Sequence, residues 1–213
     1  MRTDELIRRL SEGLGPVRPI MSPWRAALLW LTLAGVVMGV AVGWSGLRHD
    51  IAARLMLPAE QVNLAAVLGA GIAAAVGAFH LALPDRSRYW VLLPMPFVLV
   101  WLSGLGMECL GDLWQHGFLV MGVSLECTRF ILGFGIPLTA AMLWMARHAA
   151  WVRPGPVAAL GGLAAAAIGS FGLSLVHHLD ASAMILAWHG SAIALVSGVA
   201  WLLGPRAMRA VAA

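Results

Sequence analysis

The chain has no lysine: all fourteen of its basic residues are arginine, set against ten acids. Charge of either sign is scarce, at 11% of 213 residues, while apolar residues make up 61% and mean hydropathy is +0.85. That balance excludes an ordinary soluble domain, in which about a quarter of residues are charged. Two cysteines, Cys109 and Cys127, are too few for a disulfide-framed scaffold. There is no C-x-x-C and no H-E-x-x-H, so the usual signatures of a dithiol oxidoreductase and of a zinc protease are missing.

Long apolar runs are what the chain has in quantity. A hydrocarbon core about 30 Å thick takes about 20 apolar residues as helix, the one open structure that satisfies its own backbone there. Six runs of this kind predict spans at Trp24–Trp44, Val62–Leu83, Tyr89–Met107, Thr128–Ala146, Pro156–Val176 and Ser182–Leu203. The fold class is therefore all-α, a polytopic membrane helical bundle of six transmembrane helices. It divides into an N-terminal tail (1–23), a transmembrane domain (24–204) and a C-terminal tail (205–213). The first span is too long for a secretory signal and no A-x-A site follows it, so it is expected to remain as an anchor.

An even number of spans puts both termini on one side. That side collects Arg2, Arg8, Arg9, Arg18, Arg25, Arg86, Arg88, Arg147, Arg153, Arg206 and Arg209, whereas Arg48, Arg54 and Arg129 lie on the other. Arginine near span ends is retained in the cytoplasm, so both termini are expected there. Ten tryptophans against one tyrosine fit a membrane protein. Trp24, Trp44, Trp90, Trp151 and Trp201 fall near span ends, where an amphipathic ring suits the headgroup layer. Trp30, Trp101 and Trp144 suit packing between helices equally well.

Small residues at four-residue spacing let helices approach closely in lipid, where apolar contact alone gains little. Gly35, Gly39 and Gly43 form a double G-x-x-x-G; Gly69, Ala73 and Gly77, and Ala165 with Gly169, repeat the spacing. They are read as packing faces within the bundle rather than as a dimer contact, and the oligomeric state is not legible. Pro94, Pro96 and Pro137 fall inside spans three and four and are expected to kink them.

Residues 3–14, T-D-E-L-I-R-R-L-S-E-G-L, predict a short helix with Thr3 at its cap and Asp4 and Glu5 at the positive end of its dipole. Gly13, Gly15 and Pro16 end it. Leu6, Ile7, Leu10 and Leu14 share one face, with Arg8, Arg9 and the acids on the other. So short a helix is marginal alone in water and needs a surface. Two fit: the anionic lipid of the inner leaflet, helped by the arginines, or a groove on a cytosolic protein.

A second concentration of chemistry lies on the opposite side. The Glu108–Cys127 connection carries Glu108, Cys109, Asp112, His116, Glu126 and Cys127, and the turn before the last span adds His177, His178 and Asp180. Thiolate, imidazole and carboxylate together suit zinc or copper, with Cys109, Cys127, His177 and His178 as candidate ligands. The metal would be a sensed ion; no resident cofactor is required. Alternatively Cys109 and Cys127 form a disulfide in an oxidising periplasm. His189, two turns into the last span, is set apart because an ionisable group in a span is costly unless it is paired or functional. His80 and His148 are assigned no role.

At these positions the chain resembles the NrsF-type anti-sigma factors (negative regulators of sigma F). T-D-E-L-I-R-R-L-S…P-V-R-P resembles their N-terminus, Cys127-T-R-F-I-L…I-P-L-T the start of their fourth span, and Val176-H-H-L-D-A-S-A-M-I-L-A-W-H and Leu203-G-P-R their final span. The resemblance implies a six-span protein of the bacterial inner membrane that sequesters an extracytoplasmic-function (ECF) sigma factor. It also implies release on periplasmic metal or oxidant stress through periplasmic cysteines. Cys127 matches one of these; the second falls near His177 or His178, where this chain has histidine. A mixed Cys/His metal site, or Cys109 as the partner of Cys127, would repair the departure.

The leading reading is thus a regulator without catalytic activity. Leu6, Ile7, Arg9, Leu10 and Leu14 would bind the sigma factor, and Cys109, Cys127, His177, His178, Asp180 and His189 would sense the signal. No direct contact with nucleic acid is expected. A metal or small-solute transporter is the first alternative, but it predicts mid-membrane polar groups in several spans, and here only His189 reaches inward. A membrane thiol-redox protein is the second, and it lacks the expected C-x-x-C.

Overall fold

The computed structural model describes residues 3–12, 20–117, 125–149, 152–177 and 181–212. Every element among them is helical. In order they are α1 (Thr3–Ser11), α2 (Pro23–Ser45), α3 (Ile51–Arg54), α4 (Pro58–Leu81), a 3-10 turn (Arg88–Leu92), α5 (Met95–His116), α6 (Leu125–Met145), α7 (Pro154–Val176) and α8 (Ser182–Ala212). Six helical stretches are long and apolar enough to cross a membrane: α2, α4, Arg88–His116, α6, α7 and Ser182–Ala207. The six expected spans are thus present, with their ends redrawn.

Helix starts follow a shared local rule. Pro23, Pro58 and Pro154 each occupy a first-turn position, where a missing N–H costs nothing. Ser22 adds a side-chain cap, its Oγ accepting from Arg25 N at 3.4 Å. Pro94 and Pro96 act in the same way. They stand at the start of α5 and, within the Arg88–His116 stretch, divide the third span into the 3-10 turn and the helix. Pro137 does lie inside α6.

Helices α4 and α7 form the centre, and α7 packs against α2, α4, α6 and α8. Alanine and glycine make that position possible. A Cβ on Gly162 would come within 2.9 Å of Ser197 Cα and of Val196 O, so the α7 and α8 backbones meet there. The Gly69–Ala73–Gly77 row packs as expected, against the Phe97 ring and the carbonyl of Trp90, and Gly169 of α7 faces Ile131. The row on α2 does not: a Cβ on Gly35, Gly39 or Gly43 would meet nothing within 4 Å. Instead α2 turns Ala26, Trp30, Ala34 and Met38, one every fourth residue, toward the bundle. Trp30 is fully buried and its Nε1–H donates to Leu138 O at 3.0 Å, which fixes that face inward. Trp101 is buried as well, whereas Trp144 is exposed beneath the Arg147 guanidinium at 3.8 Å.

Candidate functional site

At the end of the bundle remote from the termini, helix α5 continues past Met107 to His116 and stops at Gly117, whose φ of +73° suits a glycine C-cap. Glu108, Cys109, Asp112 and His116 are therefore helical residues, and Glu126 and Cys127 belong to the first turn of α6. This corrects the long Glu108–Cys127 connection read from the sequence. Isolated acids do not break a helix whose apolar face runs on. Trp101, Leu105, Glu108 and Asp112 recur at three- and four-residue intervals, so Glu108 extends the inward stripe of α5.

Glu108 enters a network that joins three helices. Asn63 Nδ2 of α4 donates to its Oε1 at 3.3 Å, and Ser182 Oγ of α8 donates to its Oε2 at 2.6 Å. Two turns deeper in α8, His189 is 2% exposed, with Nδ1 2.7 Å from Ser170 Oγ of α7. His189 Nε2, Asn63 Oδ1 and His177 Nδ1 are buried and take no hydrogen bond from the protein. Glu108, Asn63, His177 and His189 line one cavity of about 40 Å³, together with Trp101 and Leu105 of α5.

Charged groups close its mouth. Arg48, only 4% exposed, leads from the α2–α3 loop to the end of α7. Its backbone N–H donates to Leu175 O at 3.0 Å and its side chain to His177 O at 3.1 Å. The same guanidinium holds Asp50 through both oxygens, at 2.6 and 2.8 Å. That pairing, outweighing some desolvation, pulls the Asp50 carboxyl down to about 2. Arg54 reaches Glu60 at 3.5 Å.

The structure brings His177 and His189 of the expected sensing set to this cavity. Cys127 is instead fully buried in the apolar cluster around Ile131, Ala166 and Leu173, and Cys109 is half-buried on α5. The two thiols are not joined to each other. Among the described residues no three His, Cys, Asp or Glu side chains gather closely enough to hold a metal ion. His178, Asp180 and Leu14 lie outside the described residues. The sequence expectation that His189 alone reaches inward is corrected, since Asn63, Ser170 and Glu108 also turn into the bundle. Asn63 is the chain's single asparagine and begins the buried stripe of α4, a signal that was open to the sequence. The reach of Arg48 to α7 carried no such signal, because the carbonyl it meets there is 129 residues away.

The opposite end presents α1. None of its residues is buried; Leu6, Ile7 and Leu10 are exposed along one side. On the other, Arg8 joins Glu5 and Glu12, and Arg9 joins Glu5. Hydrogen bonds from Arg8 and then Arg9 hold the Glu5 carboxyl below the ordinary carboxylate range.

No curated protein and no solved structure matches the chain. A family model does match it, over residues 10–209, nearly its full length. The chain belongs to the NrsF family, negative regulators of sigma F, and is thus an anti-sigma factor with a sigma factor as its partner.

Proposed function

We propose that the protein lies in the bacterial inner membrane with both termini in the cytoplasm, and that α1 holds an ECF sigma factor there. The family supplies the anti-sigma role. The observation that carries the rest is the unburied row of Leu6, Ile7 and Leu10 on a helix whose charged face is internally paired. A helix so short is stabilised by docking its apolar face, and a groove on a cytosolic protein supplies that surface. Arg9, beside this row, would meet an acidic rim on the sigma factor. The arginine bias of the terminal side supports the cytoplasmic orientation.

Release follows a signal at the periplasmic end. An oxidant reaching the half-buried Cys109 fits that end more directly than a metal ion, whose ligands the described residues do not bring together. The signal acts by preferring one of two bundle packings, and a tenfold release needs only about 1.4 kcal/mol of coupling.

The test is affinity capture from detergent-solubilised native membranes, comparing the intact protein with a Leu6→Glu/Leu10→Glu variant and with a chain lacking residues 1–22. A sigma factor recovered with the intact protein alone is the expected result. Equal recovery by all three would move the contact away from α1. If none is recovered under reducing, metal-free conditions, the proposal of α1-mediated sequestration fails.

A further inference from the structure

Most hydroxyls within the spans are satisfied by their own helix: Thr32, Thr139, Ser174 and Ser197 each donate to the carbonyl one turn back. The far-end cavity departs from that economy. Asn63 Oδ1 and His189 Nε2, on residues more than nine-tenths buried, have no protein partner, and His177 Nδ1 joins them nearer the mouth. A buried polar atom left unpaired costs about 1–3 kcal/mol, so three around one cavity mark it as suited to a ligand that hydrogen-bonds.

Size and charge narrow the ligand. A cavity of about 40 Å³ has room for roughly three water molecules at about 10–15 Å³ each. Arg54 and Glu60 keep 22% and 24% of their side chains exposed, so water reaches the cavity at that end. Two guanidiniums, Arg48 and Arg54, stand against three carboxylates, Asp50, Glu60 and Glu108. Arg48 is engaged by Asp50 and Arg54 by Glu60, whereas Glu108 is met by the neutral groups of Asn63 and Ser182. One further positive charge would balance the set.

We propose that this cavity is a proton-binding site, in which His189 takes a proton from periplasmic water and the imidazolium balances Glu108. With Nδ1–H donating to Ser170 Oγ, the lone pair of Nε2 is left to the cavity, and the proton binds there. The Nε2–H then has the Glu108 carboxylate, which lines the same cavity, as its acceptor, directly or through water. No electron moves and the proton returns to solvent when the pH rises. The charged and titratable groups facing His189 are Arg48 from the α2–α3 loop, Arg54 from α3, Glu60 from α4, Glu108 from α5 and His177 at the end of α7. Because α4, α5, α7 and α8 all contribute, protonation changes the attraction between helices and selects one packing over another. The inference rests on the proposed function only for what that shift controls; the site itself is read from the bundle.

The test is a pH titration of the full-length protein in nanodiscs, from pH 8.5 to 4.5, with histidine labelled at 13Cε1. His189→Gln identifies the resonance. The proposal expects that resonance to titrate reversibly, and expects Glu108→Gln to lower proton affinity about tenfold, one pH unit of midpoint. Ser182→Ala, which strips a donor from the same carboxylate and spares its charge, should move the midpoint upward, and serves if Glu108→Gln does not fold. A His189 resonance constant across the range, or a midpoint indifferent to the variant that folds, overturns the proposal. Neither readout involves the sigma factor, so failure here is distinct from failure of capture by α1.

Discussion

Two buried histidines sit at opposite ends of this bundle, and their surroundings differ in kind. His80, at the terminal end of α4, is 1% exposed and lies stacked on Trp90 at 4.0 Å, with the edge of Trp24 at 4.8 Å. Its Nδ1 is 3.0 Å from Val76 O, one turn back in its own helix. His189 has no aromatic sandwich of that kind; it is turned toward Ser170 of another helix and toward a polar cavity. The first ring is a packing element bonded within its own helix, and the second joins α7 and α8 through its bond to Ser170. Equal burial therefore does not imply equal role, since what decides is whether the nitrogens are satisfied within the helix or across a joint.

The comparison is broken most severely at the packed end. Trp90→Ala removes the ring that covers His80, and should lower unfolding stability by about 3 kcal/mol, read as an earlier midpoint in detergent-induced unfolding. Arg48→Gln comes next. It deletes a charged donor to His177 O, and should cost about 2 kcal/mol by the same assay. It also alters the acid limb of stability. The Asp50 carboxyl is depressed in the folded state, so its contribution is present above its unfolded pKa, near 4, and is lost as pH falls toward about 2. In Arg48→Gln that stretch of the profile should flatten; an unchanged slope between pH 4 and pH 2 would mean that Arg48 does not hold Asp50.

A smaller effect sharpens the contrast between the rings themselves. His80→Leu loses the stacking and the bond to Val76 O, and should cost about 1.5 kcal/mol. His189→Leu loses one bond to Ser170 while removing an unpaired nitrogen, and should fall below about 1 kcal/mol. Equal losses in the two variants would erase the distinction.

The sequence set His189 apart from His80 by depth in a span, but did not show the surroundings that distinguish the two rings. Hydropathy located all six helices, because a span must be long and apolar whatever it packs against. The ends were harder: Glu108 and Asp112 looked like the start of a loop, yet Leu110, Leu113 and Trp114 continue the helix to Gly117. Spacing found the glycine rows but not their direction, which on α2 was decided by Trp30 bonding to a carbonyl 108 residues away. For the candidate site, residue type pointed to the end of the bundle remote from the termini, and His189 was singled out for its depth. Its partner was not found, since Ser170 lies on another helix and tertiary packing alone brings the two together, as it brings Asn63 and Ser182 to Glu108. The exposed face of α1 could be read outright, because helical period defines it with no partner present.

The smallest expected effect tests the same distinction at two hydroxyls. Thr139 and Ser170 are both buried, on α6 and α7. Thr139 Oγ1 donates to Gly135 O at 2.6 Å, within its own helix, a bond that also exists in the separated helix and so adds little to assembly. Thr139→Val, which keeps the shape, should leave unfolding stability within about 0.5 kcal/mol. Ser170 Oγ instead meets Nδ1 of His189 on α8, and such interhelical bonds are worth about 0.6 kcal/mol on average, up to about 1.7. Ser170→Ala should therefore cost more than Thr139→Val, and the excess should shrink in the His189→Leu background, where the bond is already gone. A double-mutant cycle returning no coupling between Ser170 and His189 would reduce His189 to a second packing histidine like His80.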